Sequence, residues 1–325
     1  MLGFLARRLG AAALVAFGVA TITFFLIHLA PGSPLAGSGE NPYVSAEALE
    51  QMRRNFALDR PLHIQYFRYL TNLARGDWGM SFTMHRPVLD ALRDAVPNTL
   101  LLATAALILD FLLGTAIGTL QGMRAGSRFD RACSAVTLTL YSVPTFWLAL
   151  LLLLVFGQWL HWFPVGGVTD SARYASLSGI GQLIDRLHHL ALPALTLGVV
   201  GAAGTARFQR AALLEVLGQD YVRTARAKGL PERRVIAAHA LRNALLPVIT
   251  LAGLSLPFLL TGAVLIESVF SWPGMGRLAT MAIFQRDYPV VTAAAMVAAA
   301  MVVLGSLLAD LLYAWADPRV RMRAT

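Results

Sequence analysis

The chain has 325 residues, of which 57% are hydrophobic and 14% charged, with a mean hydropathy of +0.61. That balance lies outside the range of soluble globular domains and makes a lipid bilayer the expected solvent. A net charge of +9 raises nucleic acid as a partner, but the distribution of charge argues otherwise, and the single cysteine, Cys133, excludes an internal disulfide and reads as packing.

Six apolar stretches approach the roughly 20 residues needed to cross about 30 Å of hydrocarbon. They run Leu9–Ala30, Thr99–Gly122, Ala132–Gln158, Leu190–Ala206, Leu245–Val269 and Pro289–Tyr313. An even number places both termini on one side. With the N-terminus cytoplasmic, the inside segments carry sixteen basic residues against five acidic ones, while the outside segments carry eleven of each. The charge thus follows the positive-inside rule, and nucleic acid falls away as a partner. The 22-residue first run is longer than a signal-peptide core, and no small-x-small cleavage site follows His28-Leu29-Ala30-Pro31, so a retained helix is expected.

Taken in chain order, the first transmembrane helix (1–31) leads to an extracytoplasmic insertion (32–97). There Ser45 begins one helix through AEALEQMRRNF, and PLHIQYFRYLTNLAR forms a second, closed by Gly76. Leu62, Tyr66, Tyr69, Leu70 and Leu73 share a stripe. The insertion reads either as a cap that steadies the bundle or as a docking surface for an external partner. RPVLDALRDAVP is an amphipathic lead-in, and Asn98 is placed to cap the second span. A five-helix core (98–316) and a cytoplasmic tail (317–325) complete the division.

Within the second span Asp110, Gly114, Gly118 and Gly122 recur every fourth residue, a ridge that lets another helix approach closely. A carboxyl on that ridge faces protein, either in an interhelical hydrogen bond or lining a lumen. Asp310 near the inner end of the last span is expected to meet arginine or water. Pro144 in YSVPTFW breaks the third span, while Pro247 and Pro257 interrupt the fifth. Such breaks suit a bundle that rearranges and also occur in rigid ones.

Enzymatic motifs are missing. A P-loop needs Gly before its lysine and Ser or Thr after it, yet Lys228, the sole lysine, stands between Ala227 and Gly229. There is no His-Glu-x-x-His helix, and His188-His189 reads as an interfacial pair. Ser142, Ser255 and Ser306 have no histidine at matching depth for intramembrane proteolysis. No catalytic or metal-binding residues are assigned.

The loop 207–244 holds the densest charge. Tyr221 to Lys228 has helix-forming residues and stops at Gly229, suited to a left-handed terminus. Leu230-Pro231 restarts a helix with Pro231 near its first position and Glu232 favourable to its dipole. Small Ala225 and Ala227 would let this knuckle enter a groove on another protein. The residues equally allow a basic loop lying on membrane lipid headgroups.

YVRTARAKGL followed by HALRNALLPV resembles the permease signature of ATP-binding-cassette (ABC) importers, in the form used by the peptide branch. Of the general pattern (Glu-Ala-Ala, three residues, Gly, nine residues, Ile-x-Leu-Pro) only Ala225, Gly229 and Leu241 match in register, and Leu246-Pro247 comes five residues late. RRLG…HLAPGSP, GDWGMSF…RPVLDAL, YSVPTFW and IESVFSWPGMG resemble the same subfamily, from about residue 5 to 320.

The resemblance implies an all-α integral membrane protein with six transmembrane helices of the type I ABC importer permease fold. It implies a B-type subunit of the dipeptide or oligopeptide (peptide/nickel) family, located in a bacterial inner membrane. Partners would be a second homologous permease, two cytoplasmic ABC ATPases holding ATP and magnesium, and an extracytoplasmic solute-binding protein; this chain would carry no cofactor. The ATPase-coupling residues would be Tyr221, Arg223, Thr224, Ala225, Arg226, Ala227, Lys228, Gly229, Leu230 and Arg242, within 219–247. Asp110, Pro144, Phe146, Trp147 and Glu267 are candidates for the pathway or gate, Glu267 alternatively anchoring the turn at Pro273-Gly274. Nickel or another small solute is the alternative cargo. A membrane assembly factor or receptor, or a secondary transporter, is the alternative function.

Overall fold

The computed structural model describes residues 2–29, 60–260 and 264–316. The expected helix from Ser45, the tail 317–325 and the Asp310 side chain lie outside the described residues. The chain divides into two compact units, one of Met1–Thr99 with Pro273–Val303, the other of Leu100–Trp272 with Leu304–Thr325.

The described residues form helices α1 (Leu2–Leu29), α2 (Leu62–Ala74), α3 (Val88–Met123), α4 (Arg128–Ser142), α5 (Thr145–Trp159), α6 (Gly179–Leu217), α7 (Asp220–Ala227), α8 (Glu232–Ala244), α9 (Leu246–Leu260), α10 (Val264–Val269), α11 (Met275–Phe284) and α12 (Tyr288–Ala316). Three of them, α3, α6 and α12, are each long and apolar enough to cross a bilayer; the pairs α4–α5 and α8–α9 reach that length together, and α1 contributes the apolar run Ala13–Leu29. Each expected span overlaps one of these helices or pairs over its described residues, although the α8–α9 pair begins at Glu232 and not at Leu245.

Their limits differ most from expectation in the second and fourth spans. No separate lead-in precedes the second span, because α3 runs unbroken from Val88 through Pro97. Pro97 offers no N–H to the preceding turn. Asn98, expected as a cap, instead sits inside the helix and donates through Nδ2 to the Asp94 carbonyl (2.9 Å) and the Pro273 carbonyl (3.1 Å). Likewise α6 extends well beyond Leu190–Ala206. Ser178 caps it by accepting from the Gly181 N–H, and Pro193 lies buried within it. Residues 207–217, assigned to a loop from their charge, are therefore the last turns of this helix.

In the first unit α2 lies on α1 through an aromatic seam of Phe24, Phe25, Tyr66 and Tyr69. Thr21 and Tyr66 share a hydroxyl hydrogen bond of 2.8 Å, and His28 meets Gln65 at 3.1 Å. Tyr66 and Tyr69 thus take the inward positions expected of the stripe, whereas Leu62 is exposed. Burial raises the Tyr69 phenol to about 12, opposed in part by its hydrogen bond with Thr292. Gly76 closes α2 at φ +75°, as its position predicted. A second core joins Val88, Leu92 and Ala95 of α3 to Met275, Ala282, Val290 and Ala293 of α11 and α12. Fully buried Asp287 pins the intervening loop by accepting from Ser81 Oγ (2.5 Å), Thr83 Oγ1 (2.8 Å) and the Thr83 N–H (3.1 Å).

In the second unit α3 and α6 touch almost backbone to backbone. A Cβ placed on Gly114 would lie 2.6 Å from Thr205 Cβ, one on Gly122 would lie 2.8 Å from Leu213, and one on Gly118 would overlap the Ala206 carbonyl. From the other side, Gly198 and Gly201 make room for Leu109 and Asp110. The ridge read from the four-residue spacing is this seam. Between α4 and α5 the chain turns by 101° at Val143-Pro144, a sharper corner than the expected bend. Proline removes a hydrogen bond and disfavours helical backbone at Val143, whose ψ is 130°, but does not itself set the angle.

Candidate functional site

The basic knuckle is a small folded element. Its first helix, α7, turns Val222 and Ala225 inward, where with Val235 they form a buried cluster against Val216, Leu217 and Leu230. A neighbouring cluster of Leu213, Ala240 and Ala244 seats α8 on the end of α6. Three residues apart on α7, Val222 and Ala225 share a face, which is why the short helix has one apolar side.

Gly229 ends α7 at φ +74°, with its N–H donating to the Arg226 carbonyl at 2.9 Å. The left-handed terminus read from the sequence is present. Pro231 occupies the capping position, one residue earlier than expected, and Glu232 opens α8. Arg226 straddles the turn, bonding Glu232 through Nε (3.1 Å) and Nη2 (2.6 Å). Across the base, Asn243 Nδ2 donates to Tyr221 Oη at 2.8 Å.

This fold sorts the predicted coupling residues. Tyr221, Arg223, Thr224, Arg226, Ala227, Lys228, Gly229 and Arg242 are exposed, and Leu230 is half-buried. Ala225, at 6% exposure, faces the chain's own core and not outward. Its small size serves the packing of α7 onto Val235. Asn243, Val222 and Val235 complete the element and were not singled out, and Glu232, read only as favourable to the dipole, also pairs with Arg226. The three-residue spacing of Val222 and Ala225 was the available signal; the Asn243 contact spans 22 positions and left none.

The pathway candidates lie on separate elements. Asp110 is buried, accepts from Thr205 Oγ1 at 2.6 Å and meets the Gly201 backbone face, so of its two readings the interhelical bond is the one present. Pro144 forms the corner, and Phe146 and Trp147 beyond it are 45% and 51% exposed. Glu267 is wholly buried on α10. Its carbonyl accepts from the Trp272 N–H at 2.8 Å, in a turn that also takes the Gly167 N–H on the Phe270 carbonyl. His188 and His189 bond the Trp162 and Asp185 carbonyls. Among the described residues no three His, Cys, Asp or Glu side chains gather to hold a metal.

Residues 114–322 match the binding-protein-dependent transport system inner membrane component family, and residues 1–103 match the N-terminal region of such membrane components. The chain belongs to this family. The permease is 42% identical to the di/tripeptide transport system permease protein DppB of Pseudomonas aeruginosa, across 99% of both chains. It is 39% identical to the oligopeptide transport system permease protein AppB of Bacillus subtilis, across 98% of this chain and 99% of the other. At 36% identity, the glutathione transport system permease protein GsiC of Escherichia coli aligns across 99% of this permease and all of GsiC. A chain from inward-facing structures of the MetNI methionine ABC transporter superposes with a TM-score of 0.54 at 19% identity, over 73% of the permease and all of that chain. The permease therefore has the type I ABC importer fold and is a multi-pass inner-membrane transport subunit.

Proposed function

We propose that this chain is the B-type permease of an ATP-driven importer of short peptides, coupled to separate ATPase subunits through α7 and the Gly229 turn. One observation carries the reading. The knuckle presents Tyr221, Arg223, Thr224, Ala227 and Lys228 outward from a base sealed by its own apolar side chains. A basic loop held to the membrane by charge alone needs no such scaffold, whereas a lever does. Peptide cargo is inferred from the names of the relatives; nickel or another small solute is the competing cargo.

In this reading the termini, the Arg124–Arg131 turn and the knuckle are cytoplasmic, and residues 32–97 form the outer insertion of a 98–316 core. A second homologous permease completes the pathway, two ATPases bind ATP and magnesium, and an external binding protein delivers solute. Closure of the ATPases pulls α7 and, through α6, tilts the bundle. No step in this chain breaks a covalent bond.

The test joins attachment to transport. With Cys133 replaced by Ser, a cysteine at Ala227 should cross-link to a copurifying ATPase, and the assembled complex should import labelled short peptides only with ATP. Purification as a lone homo-oligomer, or uptake surviving ATP depletion, would overturn the reading. Uptake of nickel in place of peptides would reassign the cargo alone.

A further inference from the structure

Arg210 lies on α6 two turns before the knuckle. Its guanidinium grips Asp130 of α4 through both ends of the fork, Nε to Oδ1 at 2.7 Å and Nη2 to Oδ2 at 2.8 Å. The carboxylate is 3% exposed and the arginine side chain 32%. Asp130 Oδ2 also accepts the Gly126 N–H at 2.9 Å, and Ser127 Oγ accepts the Asp130 N–H, so the whole turn that opens α4 is organised around this carboxylate.

Three residues before Arg210, Arg207 places its guanidinium 5.5 Å from the centre of the Tyr141 ring, at the far end of α4. A Cβ placed on Gly204 would lie 3.4 Å from the edge of the same ring. One stretch of α6 therefore holds both ends of α4. Behind it Gln121 of α3 donates to Ser134 of α4, and Gln209 of α6 donates to Thr119 of α3, each from a buried side chain. On the other side Leu213, Val216 and Leu217 carry α7 and α8.

These contacts form a continuous body from the knuckle to the end of α4. The chain first changes direction beyond it at the Val143-Pro144 corner, which leads to Phe146 and Trp147. We infer that Asp130 and Arg210 are positioning residues for transport, the joint through which displacement of α7 reaches α4 and the corner. A bidentate arginine–carboxylate pair suits that role because it fixes orientation as well as distance, which a single hydrogen bond or an apolar contact does not. The inference rests on the coupling role proposed for α7.

The experiment uses the complete transporter in proteoliposomes, with its ATPases, second permease and binding protein. It measures labelled short-peptide uptake and ATP turnover together, and scores the Ala227 cysteine cross-link to the ATPase in every variant. Asp130→Asn and Arg210→Gln should keep the cross-link and hydrolyse ATP, while peptides imported per ATP fall by about tenfold. The exchanged pair, Asp130→Arg with Arg210→Asp, should restore part of that ratio. A ratio unchanged in both single variants, or uptake and hydrolysis falling in proportion as assembly falls, overturns the inference. Loss of the cross-link in the otherwise unaltered protein instead overturns the coupling reading beneath it. Should the single variants fail to assemble, Arg210→Lys keeps the charge and removes the fork; a ratio equal to that of the parent protein then counts against the joint.

Discussion

Thr205 donates its hydroxyl to Asp110 at 2.6 Å inside the seam where α3 meets α6. The bond spans 95 residues of sequence and ties the only carboxyl on the glycine ridge to the facing helix. Thr205→Val keeps the shape and removes the donor, leaving a buried acceptor unmet, which costs about 1–3 kcal/mol. Thermal unfolding of the solubilised permease should show that loss. In the Asp110→Ala background the same threonine change should cost clearly less, as a double-mutant cycle would reveal.

Gly118→Ala should be among the most damaging small substitutions, because the added carbon meets the Ala206 backbone and not a side chain that could turn aside. A cost of about 1–3 kcal/mol is expected for such overpacking. Gly18→Ala is the control. It has open space around it within α1, so the better helix propensity of alanine makes that change neutral or slightly stabilising. Melting temperatures of the two variants, compared side by side, check the contrast.

At Gly229 there is also open space, so the penalty of substitution is purely conformational. With φ at +74°, a side chain pays about 1–2 kcal/mol, and asparagine pays less than alanine. Hydrogen exchange across α7 should therefore quicken in the order Gly, Asn, Ala, Val. An equal rate in all four would show that the left-handed turn is not what holds the knuckle.

Ala225→Leu and Arg226→Ala should separate packing from surface charge. The first forces three carbons into the Val222–Val235 cluster and should unseat α7, at about 1–3 kcal/mol. The second removes an ion pair between side chains 41% and 55% exposed, worth at most about 1 kcal/mol. Protease sensitivity of residues 219–231 reads both. Equal sensitivity would contradict the burial of Ala225.

The Tyr69 phenol, raised to about 12 by burial, offers a test by pH. A group whose value is raised on folding favours the protonated folded form. Its contribution to stability is therefore intact below the unfolded value near 10 and is lost as pH climbs through about 12. The tyrosinate absorbance difference between the parent protein and Tyr69→Phe should rise with a midpoint near 12. A midpoint near 10 would place the ring in water.

Periodic features were legible in the sequence because they repeat within one helix. The four-residue spacing of Asp110 and the three glycines located the α3 seam, and Gly229 with Pro231 located the knuckle. Helix limits were less legible, since proline and charge were read as boundaries. Pro97 is carried inside a long helix whose other contacts outweigh one lost hydrogen bond, and Arg207 and Arg210 belong to α6 although they are charged. Least legible were pairings across the chain. Nothing local in the sequence joins Arg210 to Asp130, or Asn243 to Tyr221, because those partners meet only after the helices pack.

The knuckle's internal bonds bear on how it would meet a partner. Arg226 with Glu232, Asn243 with Tyr221, and the Val222–Ala225–Val235 cluster hold it in one shape within the lone chain. An element already ordered surrenders little conformational entropy on association, so more of its contact energy is left as affinity. Isolated α7 peptide, freed from Val235 and Asn243, should for the same reason be a poor competitor for whatever surface the intact permease occupies.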